Sequence, residues 1–178
     1  VHYSSILTEH EAVRTRVGLF DVSHMGELEV SGPHALACLQ QIMTNNVARL
    51  QIGQALYSPF CYENGGTIDD VLIYRMGEET YWVVVNASNI DKDFAWFSSH
   101  NAGATVINRS SEIVQLALQG PAAIALLQTL ASEDVAAIGY YTFRSDVQLA
   151  GVPCLLVTTG ISGRDGFDVL GSGRPGPD

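Results

Sequence analysis

Positive charge is scarce in this sequence. Nine Lys and Arg stand against nineteen Asp and Glu, a net charge of -10. That argues against a nucleic-acid binder, which needs a basic face. Long apolar runs are missing as well: none approaches the roughly 18 residues of a membrane span, and no basic stretch leads into an apolar one as a secretion signal would. Cysteine is sparse and odd in number. Cys38, Cys61 and Cys154 lie far apart among apolar neighbours, so buried free thiols in a reducing compartment are expected, and no metal site. Charged residues of both signs amount to only 16 %, whereas 47 % of the 178 residues are hydrophobic. A sizeable core is therefore available, and disorder is not expected. No internal repeat is visible. The chain starts at Val1, and its run from Gly171 to Asp178 is too rich in Gly and Pro to pack. It reads as a piece of something longer, with a flexible tail over 171–178.

What is present alternates between strand and helix signals. Thr8-Glu9-His10-Glu11 fits a capping box and predicts a helix closing at Gly18. Short strands follow over 19–22 and 26–31, then a helix over 34–43 with Leu36, Leu39, Ile42 and Met43 on one face. Asn64-Gly65 predicts a tight primed hairpin turn between strands over 54–61 and 67–75, with a third strand over 81–86. A helix capped near Ser88-Asn89 should run to about Phe97. Strands over 104–108 and 113–118, a helix over 122–130 with Pro121 in its first turn, a hairpin turning near Ala150-Gly151 and a last strand entering through Gly166-Phe167-Asp168-Val169 complete the chain. Mixed order with hairpin links predicts α+β, mostly antiparallel sheets flanked by helices. The organisation is one unit over 1–170, or two interleaved ones with about 30–103 inserted between 1–29 and 104–170.

The acidic pair Asp69-Asp70 lies inside a run that otherwise reads as a buried strand. An ionised carboxylate is costly there unless it is paired. Strand alternation sends the two side chains to opposite faces, so one can reach solvent while the other looks into the protein or a cavity.

Five segments together resemble a known family. They are Gly18-Leu19-Phe20-Asp21-Val22-Ser23-His24-Met25-Gly26-Glu27, Thr44-Asn45-Asn46-Val47, Gly65-Gly66 through Asp70, Val84-Val85-Asn86-Ala87 and Ala117-Leu118-Gln119-Gly120-Pro121. In this order and spacing, over about Ser4 to Val169, they are similar to the N-terminal part of the glycine cleavage system T-protein, the aminomethyltransferase. The resemblance implies a transferase that takes the aminomethyl group from the lipoyl arm of H-protein. Its one-carbon unit passes to tetrahydrofolate, ammonia leaves, and the dihydrolipoyl arm remains.

The resemblance also implies site residues. Asp70, the second acid after the Gly-Gly turn, matches the key aspartate, and Tyr57 and Asn86 match folate-contacting positions on flanking strands. Asp168, in Gly166-Phe167-Asp168, matches a carboxylate that grips the pterin, and is one methylene shorter than the usual Glu. Ile161 and Arg164 depart from the family's aromatic and acid. A carboxylate such as Asp70 in a low-dielectric pocket can orient the folate amine, take up a proton and stabilise developing positive charge. Asp69 is expected to be solvated or paired structurally, and His24 to be a structural hydrogen-bonding histidine. The implied compartment is the cytoplasm, or the mitochondrial matrix in a eukaryote. As a fragment the chain is expected to be inactive and to self-associate. Two other classes share the fold: a folate-binding relative that assists iron–sulfur cluster assembly, and folate-linked demethylases.

Overall fold

The computed structural model describes residues 3–162 and 165–173. The chain divides into two compact units, His24–Ile113 and Val1–Ser23 with Val114–Asp178.

The inner unit, His24–Ile113, is a five-stranded antiparallel sheet with two helices. Its strands are β2 (Gly26–Ser31), β3 (Ala55–Cys61), β4 (Thr67–Arg75), β5 (Thr80–Val85) and β6 (Thr105–Asn108), in the order β3-β4-β5-β2-β6. Alternation explains which face is covered. Leu28 and Val30 of β2, Val71 and Ile73 of β4 and Val83 and Val85 of β5 point to one side and are buried. Helix α2 (Ala35–Ile42) lays Ala35, Cys38, Leu39 and Ile42 into the same core. Helix α3 (Ile90–Ser99) adds Phe97, whose ring meets Phe60 edge-on at 5.5 Å. The β3–β4 hairpin does not use the primed turn predicted for Asn64-Gly65. The Gly65 N–H donates to the Tyr62 carbonyl, and only Gly65 takes positive φ (84°), so Glu63 and Asn64 form the turn and Gly65 closes it. That conformation suits glycine, and the three-residue loop it makes is a common hairpin solution.

The outer unit carries the sheet β1 (Gly18–Asp21), β7 (Ile113–Gln119), β10 (Gly166–Ser172), β9 (Val152–Thr159) and β8 (Phe143–Leu149), in the order β1-β7-β10-β9-β8. Its core gathers Leu118, Leu127, Val135, Val147, Leu156 and Phe167. Helix α4 (Ala123–Gln128) is shorter than the 122–130 predicted. Helix α1 (Ile6–Thr15) starts earlier than its predicted capping box. Ser5, not Thr8, is the N-cap, and its Oγ accepts from the Thr8 N–H at 3.2 Å. Glu9 instead reaches back to the Tyr3 and Ser4 amides. Among the described residues no helix is long and apolar enough to cross a membrane.

The three thiols are free. Cys38 and Cys154 are buried as expected, whereas Cys61, at the end of an outer strand of its sheet, is only half-buried.

Candidate functional site

Asp70 stands near the start of β4, opposite Pro59 of β3, and is exposed. Tyr57 lies two residues from Pro59 and so shares its face. Its hydroxyl donates a hydrogen bond to Asp70, and that bond, ahead of slight burial and the charges of Asp70 and Asp69, raises the phenol above its usual range. Asn86 follows the end of β5. Its Nδ2 donates to Asp69 Oδ1 at 2.8 Å and to the Asp70 carbonyl at 3.0 Å, with a longer contact to Asp70 Oδ1 at 3.4 Å. Three residues singled out from the sequence, Asp70, Tyr57 and Asn86, therefore meet at one point of the inner unit.

Asp69 points the other way, with Val71 and Ile73, and is only 6 % exposed. There it meets Asp93 of α3, which is fully buried. Burial pushes Asp93 up to about 7, helped by the adjoining Asp69, while Lys92 Nζ at 3.6 Å pulls the other way. For Asp69 burial also acts upward, yet hydrogen bonds from Asp93, Asn86, Asn89 and the Asp70 amide outweigh it and hold the carboxylate below its ordinary range. Of the two alternatives expected for Asp69, solvation and structural pairing, the structure shows pairing.

Asp168, on β10 in the outer unit, is 2 % exposed. Thr159 Oγ1 donates to its Oδ2 at 2.7 Å, and its Oδ1 has no hydrogen-bond partner among the described residues. Burial raises its pKa to about 6, opposed by the Thr159 hydrogen bond. Ile161 is largely exposed, and Arg164 lies outside the described residues. His24, expected to make a structural hydrogen bond, is exposed in the turn before β2 and hydrogen-bonds to no described residue. No described group of three or more His, Cys, Asp or Glu is arranged to hold a metal.

Sequence reasoning missed two buried acids of the inner unit. Asp93 shares a helix face with Ile90, Phe94 and Phe97, so an acid on an apolar stripe was the signal to find. Glu27 lies opposite Val84, which lies opposite Leu72, and so is on the face of Asp70. It is buried, and burial raises it to about 7. Alternation in Gly26-Glu27-Leu28-Glu29-Val30 suggests an exposed acid, and nothing in that pattern signals its burial.

The GCVT N-terminal domain family profile matches residues 1–175. Aminomethyltransferases of Bacillus cereus and Bacillus anthracis are each 55 % identical over 170 residues, which is 95 % of this chain and 46 % of theirs. The chain thus spans about half the length of the curated relatives it matches. The crystal structure of glycine cleavage system aminomethyltransferase T from Bartonella henselae superposes with a TM-score of 0.83 at 32 % identity, over 94 % of this chain and 45 % of that one. The heterotetrameric sarcosine oxidase from Corynebacterium sp. U-96 shares the fold at a TM-score of 0.64 and 17 % identity, over 93 % of this chain and 82 % of that one.

Proposed function

The chain belongs to the GCVT N-terminal domain family, and on that premise we propose that it supplies the folate site of an aminomethyltransferase of glycine cleavage. In this reading a lipoylated carrier, the H-protein, delivers an aminomethyl group on its dihydrolipoyl arm. The one-carbon unit passes to tetrahydrofolate and ammonia is released. The site of such a system is the bacterial cytoplasm, or the mitochondrial matrix in a eukaryote.

The observation that carries this reading is the setting of Asp70. It sits on a strand held from both sides in its sheet, with one hydroxyl and one amide donor placed against it and its face open. Folate nitrogens are weak nucleophiles. A fixed carboxylate can orient the attacking amine, stabilise an iminium-like carbon and accept the proton released as the new C–N bond forms. Tyr57 and Asn86 supply donors that help orient that carboxylate. The role assigned to Asp168 is the pterin grip. Its buried Oδ1, without a partner among the described residues, can take a donor, and the adjacent N–H groups of a pterin edge are such donors. The demethylase alternative is supported by fold likeness alone, at 17 % identity, whereas 55 % identity supports the aminomethyltransferase.

The test is transfer from an aminomethyl-loaded lipoyl carrier to tetrahydrofolate, measured in a protein of the relatives' full length carrying these residues. Asp70→Asn should lower kcat by about 10²-fold or more. Wild-type turnover in that variant would refute the assignment.

A further inference from the structure

We propose that Asp93 is a positioning residue for this transfer: its carboxylic acid donates a hydrogen bond to Asp69, and Asp69 in turn fixes the Asn86 amide against Asp70. The role presupposes the reaction proposed for Asp70.

The argument begins with donors. Both Asp93 oxygens and Asp69 Oδ2 are buried, and the Lys92 ammonium reaches only to within 3.6 Å of Asp93 Oδ1. The two carboxyl groups hydrogen-bond to each other, and two acceptors can do so only with a proton between them. That proton belongs to Asp93. Asp69 already accepts from the Asn86 and Asn89 amides and from the Asp70 N–H, all of which require an ionised or at least accepting carboxylate. The charged groups that face Asp93 are Asp69 from β4 and Lys92 of its own helix. Lys92 cannot settle the matter alone, because its Nζ also donates to the Ile68 carbonyl at 2.5 Å and its side chain is 41 % exposed.

The chain of contacts then runs outward. Asn86 Nδ2 lies 2.8 Å from Asp69 Oδ1, 3.0 Å from the Asp70 carbonyl and 3.4 Å from Asp70 Oδ1. An Asn amide turned end for end would present its oxygen to both aspartates, which the charge on Asp69 forbids. The charge on Asp69 thus sets which end of Asn86 faces the reacting carboxylate, and the proton on Asp93 holds Asp69 where it can do so. Ionising Asp93 would set a second negative charge against Asp69, and the pair would separate.

Two variants and two measurements test this. Asp93→Asn keeps a donor toward Asp69 but cannot ionise, and Asp93→Leu removes the donor. In wild type, kcat should fall on the alkaline side with an apparent pKa of about 7, the value for Asp93. In Asp93→Asn that limb should vanish with kcat near pH 6 retained, while Asp93→Leu should lose about 10-fold in kcat at every pH with KM for the carrier unchanged. Carbon-13 NMR of labelled aspartates should show one carboxyl titrating near 7 that Asp93→Asn removes. No aspartate signal near 7 that Asp93→Asn removes, or wild-type kcat and pH profile in Asp93→Leu, would overturn the role. Failure of wild type to transfer overturns it together with the proposed reaction. An active wild type with an unaffected Asp93→Leu overturns this role alone.

Discussion

Asp70 and Asp168 have opposite surroundings, and their expected behaviour differs accordingly. Asp70 is exposed and supplied with donors, whereas Asp168 is buried with one oxygen unpartnered among the described residues. A carboxylate raised to about 6 by burial is charged at neutral pH and becomes protonated below that value. If it grips the pterin, tetrahydrofolate affinity should be steady from pH 8 to 7 and drop about 10-fold by pH 5. Asp168→Asn should weaken binding by about 10-fold or more, the worth of a charge-assisted hydrogen bond, and abolish the acid drop. Fluorescence titration of tetrahydrofolate across that range checks both. At Asp69, substitution by Asn should cost turnover through Asn86 and stay well short of the loss in Asp70→Asn. Equal losses in steady-state kcat would contradict the division of labour between the two. The opposite faces of this pair were legible in the sequence, because alternation along a strand is geometric. The partner of Asp69 was not, because it comes from α3, more than twenty positions away, and strand periodicity carries no information about a helix packed on it.

The contact between β4 and α3 also sets how the inner unit responds to pH. Asp93 and Glu27 both have native values of about 7, raised by burial, against about 4 for an unperturbed carboxyl. The folded state therefore binds more protons than the unfolded one between those values, and stability falls as pH rises through that window. Urea unfolding should give a higher midpoint at pH 5 than at pH 8, and Asp93→Asn should flatten the difference. A midpoint that climbs with pH would show that these acids are not protonated in the fold. The same junction depends on Gly26 at the start of β2. A Cβ there would fall 2.5 Å from Ile90 Cγ1 and 2.7 Å from Val85 Cγ2, so Gly26→Ala must push aside both side chains. A loss of about 1–3 kcal/mol by chemical denaturation is expected, the usual scale of overpacking. Element positions were mostly legible: β4 falls on the strand expected over 67–75, and β8 and β9 turn at Ala150-Gly151 as expected. Ends were less so. At α1 a serine three residues earlier took the cap, and a local pattern cannot rank two adequate caps.

At the scale of the whole chain, the antiparallel α+β class followed from hairpin links and mixed element order, and two five-stranded sheets bear it out. Composition could not show which apolar side chains would stay uncovered. In the outer unit Leu19, Leu126, Leu130 and Val152 are 64, 41, 48 and 63 % exposed. With Leu116, Leu118 and Leu149 they border an apolar groove of about 320 Å³. Contiguous exposed apolar surface of this kind is where proteins associate. These 178 residues alone are therefore expected to self-associate through that face. They should also hold tetrahydrofolate poorly, since water reaches Asp70 and Tyr57 and weakens each electrostatic contact they make. The net charge of -10 adds repulsion between copies, so association should strengthen with salt, the opposite of a charge-driven contact. Sedimentation from low to high micromolar concentration, at two ionic strengths, reads this directly. Leu126→Glu with Leu130→Glu should return the chain to a monomer with its circular dichroism intact. A monomer throughout, binding tetrahydrofolate at micromolar concentration and accepting the aminomethyl group from a loaded carrier, would show that this half alone is sufficient for the whole reaction.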